Sequence, residues 1–274
     1  MVSLFSGMIF TAFIGYMIDR YEGLGNLNGG FLFIASSILI LNICNFICFC
    51  LIKKEPTEAS SGDNASFSEI MKNTVGNKDF RKVIIISTLF NIGVYSSYGF
   101  MGIYKTKDLM YSAFFIQVVN IVANTIRMAI SKPFGRYSDR TSFASGMRLG
   151  IILSAAAFFL NIFTTVSTRY LIIVFTIVYN CSVAGTNQNS FNIIYSYVDK
   201  KYITQALAIK NCISGIFGFG ASVVAGKILG TIQANSNMIF GIQIYGQQLL
   251  SAISCVILIL TVIYMNKTLL KKNS

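Results

Sequence analysis

The sequence predicts an all-α, polytopic transmembrane helical bundle of about eight spans. Of its 274 residues, 54% are hydrophobic and only 12% are charged. Soluble domains carry roughly 25% charged residues, because water must solvate their whole surface. Long apolar runs and a one-sided distribution of Lys and Arg favour the same fold class. Lipid is therefore the predicted solvent for most of the surface.

The spans are predicted from apolar runs of about 17–25 residues, the length that a helix needs to cross a bilayer. They cover residues 3–20, 30–52, 83–104, 111–131, 146–166, 170–191, 208–230 and 244–265. The connections are short except for 53–82, which mixes charges of both signs with Ser, Gly and Asn. We expect a solvated loop there, with a short surface helix near 66–75, because Ser66 and Glu69 have the spacing of a capping box.

The Lys and Arg residues predict the orientation. If the N-terminus is cytoplasmic, 17 of the 22 fall on cytoplasmic connections or at the helix ends beside them. By the positive-inside rule, both termini and the long connection are expected in the cytoplasm, with the plasma membrane as the location. The same distribution accounts for the net charge of +12 without a nucleic-acid partner, because the charge forms no reader motif.

The side-chain inventory argues against catalysis. Histidine is absent, which excludes His-based catalysis and His-ligated metal or haem sites. The sequence also offers no acidic pair and no nucleophile motif, so we expect no enzyme activity, no cofactor and no metal. The cysteines all lie in apolar stretches without zinc-site spacing and are interpreted as small apolar residues: Cys44, Cys48, Cys50, Cys181, Cys212 and Cys255.

Glycines suggest an internal repeat. Gly7 and Gly15 in the first span are eight residues apart, as are Gly218 and Gly226 in the seventh. Each of these spans is followed by a polar connection, an apolar span and a basic tail. Spans three to eight then form one six-helix unit, and the opening pair is the end of another. With Gly220, these glycines are expected to allow helix bending or close helix approach.

One motif carries a family resemblance. The segment after the fourth span reads Lys132-Pro-Phe-Gly135-Arg-Tyr-Ser-Asp139-Arg140. It resembles the loop of the major facilitator superfamily, in which a glycine is followed, after three residues, by Asp and then Arg or Lys. The motif lies between the second and third spans after the long connection, where that family carries it. It departs from the family at Ser142 and the residues after it, where a glycine and basic residues are usual.

The resemblance implies a secondary transporter of a small solute that works by alternating access. Residues 1–52 would be the last two helices of an N-terminal half, 53–82 the cytoplasmic linker, and 83–274 the six-helix C-terminal half. Four helices would then be missing at the front, and the chain would be an inactive truncated product unless a second chain supplies them. The alternative is a small channel or transporter subunit that works as a homo-oligomer.

The motif also implies a gate. A glycine such as Gly135 allows a tight helix exit. Asp139 is then placed to accept hydrogen bonds from a neighbouring helix N-terminus or to pair with a basic residue, with Arg140 beside it. We expect this cytoplasmic gate loop to hold the inner end of the bundle closed. The other interpretation is a solvated turn.

Polar faces on the third and fourth spans are the candidate solute cavity, because transporter sites lie near the bilayer midplane. Spacings of three and four place each set on one helical face. In the family, these spans flank the central cavity. Hydrogen bonding between helices is the other role open to them. The residues are Asn91, Tyr95 and Tyr98 on the third span, and Gln117, Asn120 and Asn124 on the fourth.

Two further features have competing interpretations. The sixth span carries Tyr179, Asn180, Asn187 and Gln188, for which we favour packing over a cavity role. Arg127 lies only five residues before Lys132, so we favour snorkelling to the cytoplasmic surface. Its other role would be an anion contact inside the cavity. No Asp or Glu lies well inside a predicted span, so proton coupling through a buried carboxylate is not expected from these residues.

Overall fold

The computed structural model describes residues 2–51, 67–235, 237–239 and 242–270, and nearly all of them are helical. The helices are α1 (Val2–Gly23), α2 (Leu27–Leu51), α3 (Phe67–Asn73), α4 (Lys78–Tyr95), α5 (Met101–Ile103), α6 (Ala113–Arg140), α7 (Phe143–Ile162), α8 (Leu171–Asn192), α9 (Ile203–Ala234) and α10 (Gly246–Met265). The strands β1 (Met238–Ile239) and β2 (Ile242–Gln243) form a short antiparallel pair between α9 and α10.

The prediction of an all-α helical bundle is confirmed, since a helix occupies each of the eight predicted stretches. Seven of the helical segments in the described ranges are long and apolar enough to cross a membrane, and α1 is not among those seven. Helix α3 takes the place of the predicted surface helix. Ser66 and the rest of 53–66 in the predicted linker lie outside the described residues.

Helices α4 and α6 to α10 pack into one bundle. Helix α7 packs against α8 and α10, α8 also contacts α6, and α4 contacts α9 and α10. Helix α1 packs against α6 and α2. The apolar side chains of α2 are largely exposed, as expected for a helix that lipid or other helices surround.

Small residues bring α7 and α8 together. Gly146 and Gly150 form a G-x-x-x-G pattern on α7, which allows two helix backbones to approach closely. A Cβ at Gly150 would lie 2.8 Å from the backbone nitrogen of Thr186 on α8. One turn further along, the buried hydroxyls of Ser154 and Ser182 are hydrogen-bonded at 2.8 Å. The pattern in the sequence therefore marks the tightest helix contact of the bundle's core.

A buried polar network ties α7 and α10 to the chain that follows α4. The Tyr104 hydroxyl donates to the carbonyl of Thr164 at 2.6 Å. The Asn161 amide donates to the hydroxyl of Ser251 at 2.8 Å, and Ser251 also contacts the hydroxyl of Ser97 at 3.2 Å. These groups satisfy one another in an interior where an unpaired polar group would be costly.

At the opposite end of the bundle, polar side chains fasten the start of α4 and the short helix α3. Asn77 caps α4 through its side-chain oxygen and donates to the carbonyl of Tyr197 at 2.8 Å. Glu69 on α3 accepts a hydrogen bond from the Tyr202 hydroxyl and pairs with Lys201 at 3.6 Å. That hydrogen bond, and then the Lys201 charge, hold the pKa of Glu69 below its usual value. The helix ends that meet here are the ones rich in Lys and Arg.

Candidate functional site

A polar cavity of about 280 Å³ lies between α4, α6 and α8. It is lined by Phe90, Asn91, Val94, Tyr95, Tyr98, Arg127, Tyr179, Asn180, Val183, Thr186 and Asn187. These residues lie toward the middle of the membrane-length segments Lys78–Asp108, Ala113–Arg140 and Leu171–Ser196, so the cavity lies between the two ends of the bundle. Site-sized clefts with a few convergent polar groups are typical of small-molecule binding.

Helix α4 supplies the first wall. Asn91 and Tyr95 are one turn apart on it, and Tyr98 follows in the turn after its last residue, so all three line the cavity. The aromatic ring of Tyr95 also packs on α9, where a Cβ at Gly218 would lie 2.7 Å from its Cδ2. The face predicted from spacing is thus the face that the structure turns inward.

Helix α8 supplies the second wall, from residues for which the sequence favoured packing. The rings of Tyr179 and Tyr98 are stacked with centroids 4.5 Å apart. Asn180 and Asn187 also line the cavity, and the Asn180 amide donates to the carbonyl of Thr176 at 2.8 Å. The sequence could have indicated this wall, because an interval of seven residues places the two asparagines on one helical face.

The polar face of α6 points elsewhere. Gln117, Asn120 and Asn124 are not among the described residues that line this cavity. Gln117 packs against α1, where a Cβ at Gly15 would lie 2.8 Å from its Cγ, and Asn120 donates to Gln117 at 3.1 Å. Gln117 thus makes a contact between helices, which was the other role open to this stripe.

Arg127 is the only residue of α6 among those that line the cavity. The sequence favoured snorkelling, because Lys132 looked like the end of the helix. Helix α6 continues to Arg140, so Arg127 lies about 20 Å from either helix end. It lines the cavity together with Tyr98 and Tyr179. This position favours the cavity role that the sequence left as the alternative to snorkelling.

The prediction of a loop at the family motif is also wrong. Gly135, Asp139 and Arg140 form the last two turns of α6, and the connection to α7 is only Thr141 and Ser142. Gly135 serves close approach, since a Cβ there would lie 3.2 Å from Nε2 of Gln188 on α8. Asp139 is exposed, and among the described residues it forms neither an ion pair nor a hydrogen bond. The predicted gate contact is not made in this conformation.

The candidate bending glycines divide into two groups. Gly15 and Gly218 are buried at tight contacts, with α6 and α4 respectively. A Cβ at Gly226 would lie 3.5 Å from the ring of Phe100, whereas a Cβ at Gly7 or Gly220 would meet open space. Helices α1 and α9 run through all five positions without interruption. Close packing is thus the visible role of Gly15 and Gly218.

The chemistry that the cavity offers is binding. Its polar groups are amides, hydroxyls and one guanidinium, with no carboxylate among the described residues that line it. No cluster of three or more His, Cys, Asp or Glu side chains able to hold a metal ion occurs in the described ranges. The lining can donate and accept hydrogen bonds and attract negative charge, but it holds no acid–base pair for a reaction.

Comparison with known proteins adds the family. The family model described as "MFS/sugar transport protein" matches residues 1–265, which is nearly the whole chain. No curated protein matches the sequence. The match spans α1 and α2 as well as the six-helix bundle, so it covers both parts of the fold and the cavity between α4, α6 and α8. The chain belongs to the MFS/sugar transport protein family of the major facilitator superfamily, a family of membrane transporters.

Proposed function

We propose that this transporter moves a small solute by alternating access, with the cavity between α4, α6 and α8 as the solute site. The observation that carries the proposal is the polar cavity itself, between helices that are long and apolar enough to cross a membrane. Asn91, Tyr95, Tyr98 and Asn187 would bind the solute through hydrogen bonds and ring contacts. Asn91 is partly exposed and the other three are exposed, and polar side chains that faced lipid would be costly, which favours a water-filled or ligand-binding space in front of them.

The organisation into two halves belongs to the same proposal. Helices α1 and α2 would close an N-terminal half, residues 53–82 would link the halves in the cytoplasm, and 83–274 would form the C-terminal half. Both termini would be cytoplasmic, in the plasma membrane. Alternating access needs a second bundle across from the cavity. Further helices, from this or a second chain, would supply it.

Labelling of single cysteines tests this orientation. Asn73 on α3 and Thr106 after α5 are exposed and lie at opposite ends of the bundle. In a variant without native cysteines, a membrane-impermeant thiol reagent applied to intact cells should modify Thr106→Cys and spare Asn73→Cys. The reverse pattern would invert the proposed topology.

The gate is tested through Asp139. Because Asp139 makes no ion pair or hydrogen bond among the described residues in this conformation, a gate role requires a contact in another one. In that case Asp139→Asn should leave membrane insertion intact and raise the rate at which Asn91→Cys, which lines the cavity, reacts with a reagent added from the cytoplasmic side. The direct effect on stability should be small, about 0–1 kcal/mol, because Asp139 is exposed. An unchanged labelling rate would reduce Asp139 to a solvated residue at a helix end.

Water access to the cavity is the main test of the proposal. Asn91 lines the polar cavity, whereas its neighbour Ile92 lines an apolar cleft between α4, α9 and α10. In reconstituted vesicles, a small neutral thiol reagent should react with Asn91→Cys from both sides and should not react with Ile92→Cys. Equal inertness of both variants would leave the polar groups as packing contacts and would refute the proposal.

The second candidate is a homo-oligomeric channel. A channel is open to both sides at once, whereas a transporter exposes its site to one side at a time. Stepwise currents across a planar bilayer that holds the purified protein would favour the channel. Their absence, together with reaction of Asn91→Cys from either side, would favour alternating access.

A further inference from the structure

A partly exposed cation, Arg127, and a buried one, Lys210, lie at or near the polar cavity. The guanidinium of Arg127 lines the polar cavity near the middle of α6. Lys210 on α9 is 3% exposed, and its ammonium donates to the carbonyl oxygen and hydroxyl of Ser190 at 2.8 and 2.9 Å. Ser190 lies one helical turn beyond Asn187, a cavity residue. The interior around the cavity is therefore positively charged.

Within the described residues, no carboxylate balances these charges. Arg127 and Lys210 form no ion pair there, and the guanidinium of Arg127 has no hydrogen-bond acceptor. The carboxylates of the described ranges lie in terminal helical turns or connections, and they belong to Asp19, Glu22, Glu69, Asp79, Asp108, Asp139 and Asp199. A protein that needed these cations only for packing would have no reason to leave them without a counter-charge.

A charge without a counter-charge is costly between apolar helices. Apolar surroundings replace neither the water that hydrates the cation in solution nor its counter-ion. Lys210 recovers part of this cost through its two hydrogen bonds to Ser190. Among the described residues no group is hydrogen-bonded or ion-paired to the guanidinium of Arg127, which leaves this role to water in the cavity or to a ligand. A guanidinium presents a planar set of donors that matches a carboxylate or phosphate group in two-point contact. Tyr98 and Tyr179 line the same cavity and add hydroxyl donors to it.

We infer that the cavity selects a negatively charged solute, whose carboxylate or phosphate group pairs with Arg127. This inference rests on the transport function proposed above, and it specifies the chemistry of the solute. The hydroxyl groups of an uncharged sugar could accept hydrogen bonds from Arg127 but would bring no counter-charge, whereas an acidic or phosphorylated solute would supply both.

The experiment measures charge preference at the cavity without knowledge of the natural solute. Asn187→Cys is introduced into the full chain with its six native cysteines replaced, and the protein is reconstituted in phosphatidylcholine vesicles. Three methanethiosulfonate reagents of similar size are compared, bearing a sulfonate, a trimethylammonium or an uncharged hydroxyl group. Each rate is divided by the reagent's rate with free 2-mercaptoethanol, which removes differences in intrinsic reactivity.

With Arg127 in place, the normalised sulfonate rate should exceed the trimethylammonium rate. In Arg127→Gln the ratio of the two should fall on the order of tenfold, the scale on which a local charge concentrates counter-ions. Arg127→Lys should keep the preference. Arg136→Gln, which removes the same charge from an exposed site nine residues further along α6, should leave it unchanged. If Arg127→Gln does not fold, Arg127→Met keeps the apolar stem and makes the same comparison.

The outcomes separate the two proposals. If the neutral reagent fails to react with Asn187→Cys, the cavity is closed to solutes and the transport proposal fails. If the neutral reagent reacts but the ratio of the sulfonate rate to the trimethylammonium rate is one or less, the anion inference is overturned while the transport proposal stands. The same holds if Arg127→Gln leaves that ratio unchanged. Repeating the assay with added phosphatidylglycerol identifies the source of the anion. If that lipid slows labelling by the neutral reagent, the site binds a lipid headgroup and selection of a soluble solute is refuted. Unchanged labelling would support a soluble solute.

Discussion

Asp19 at the end of α1 is expected to hold α1 onto the six-helix bundle, so replacing it should destabilise the protein measurably. Its carboxylate oxygens accept hydrogen bonds from the backbone nitrogens of Ala113 and Phe114, each at 2.9 Å. The Ser112 hydroxyl accepts from Phe115, and the Ser112 carbonyl accepts from Ile116. All four N–H groups of the first turn of α6 are thus satisfied, two of them by a helix 94 residues earlier in the chain.

The magnitude follows from these contacts. A capping side chain contributes about 0.5–2 kcal/mol, and a negative charge at a helix N-terminus adds about 0.3–1 kcal/mol. Asp19→Asn keeps one acceptor oxygen but loses the charge and the second bond, so we expect a loss of about 1 kcal/mol in the free energy of unfolding. Asp19→Ala loses both bonds and the charge, and should cost about 2 kcal/mol.

Unfolding by SDS in a mild detergent, followed by circular dichroism, measures both losses. Glu22→Gln is the matched control, because Glu22 is an exposed acid three residues later on the same helix. If Asp19→Asn and Glu22→Gln shift the unfolding midpoint equally, the charge of Asp19 has no special role. If Asp19→Ala is as stable as the parent protein, the helix-capping argument itself is refuted.

Three further perturbations test other contacts. Tyr104→Phe leaves the buried carbonyl of Thr164 without its donor and should cost about 1–3 kcal/mol; unchanged stability would contradict the network at that end of the bundle. Gly146→Ala places a Cβ 2.0 Å from a buried serine hydroxyl and should lower the free energy of unfolding by about 1–3 kcal/mol. Gly102→Ala, where the Cβ meets open space, should be close to neutral. Equal effects of the two changes would contradict the close contact. Because the pKa of Glu69 is lowered, ionised Glu69 stabilises the docking of α3 at neutral pH. This stabilisation is lost as the pH falls through the lowered pKa. The protection factors of the α3 amides, which correct for the intrinsic slowing of exchange in acid, should therefore fall on acidification. In Glu69→Gln they should be low already at neutral pH, and a similar pH profile in both proteins would contradict this role of Glu69.

The spans were predictable because their signal is local. A run of apolar residues long enough to cross a bilayer has few alternatives to a helix, since lipid offers no partner for an unpaired backbone. The boundaries were less predictable at α6. Pro133 and the basic residues around it suggested an end at 131, but the helix continues to Arg140. Pro133 removes one backbone hydrogen bond, to the carbonyl of Ala129, and both residues are exposed, so that carbonyl can be solvated.

The choice between equivalent polar faces was not predictable from periodicity. The stripes on α4 and α6 have the same spacing, yet Asn91 and Tyr95 line the cavity while Gln117 packs on Gly15 of α1. Spacing shows that residues share a face, but the direction of that face depends on which helices surround it. For α6 the deciding contact comes from α1, far away in the sequence, so no local pattern carries the information.

The position of Arg127 shows how one boundary error propagates into a functional interpretation. Snorkelling was favoured only because Lys132 was taken as the membrane surface, which placed Arg127 within reach of water. Because α6 continues to Arg140, the expected membrane surface lies further from Arg127. Side chains on a helix also tend to point toward its N-terminus, which for Arg127 is away from that surface. The same residue then changes from a surface anchor to the one cation among the described residues that line the cavity. The inferred charge of the solute thus depends on where α6 ends, and the preference of Asn187→Cys for negative or positive reagents tests that inference.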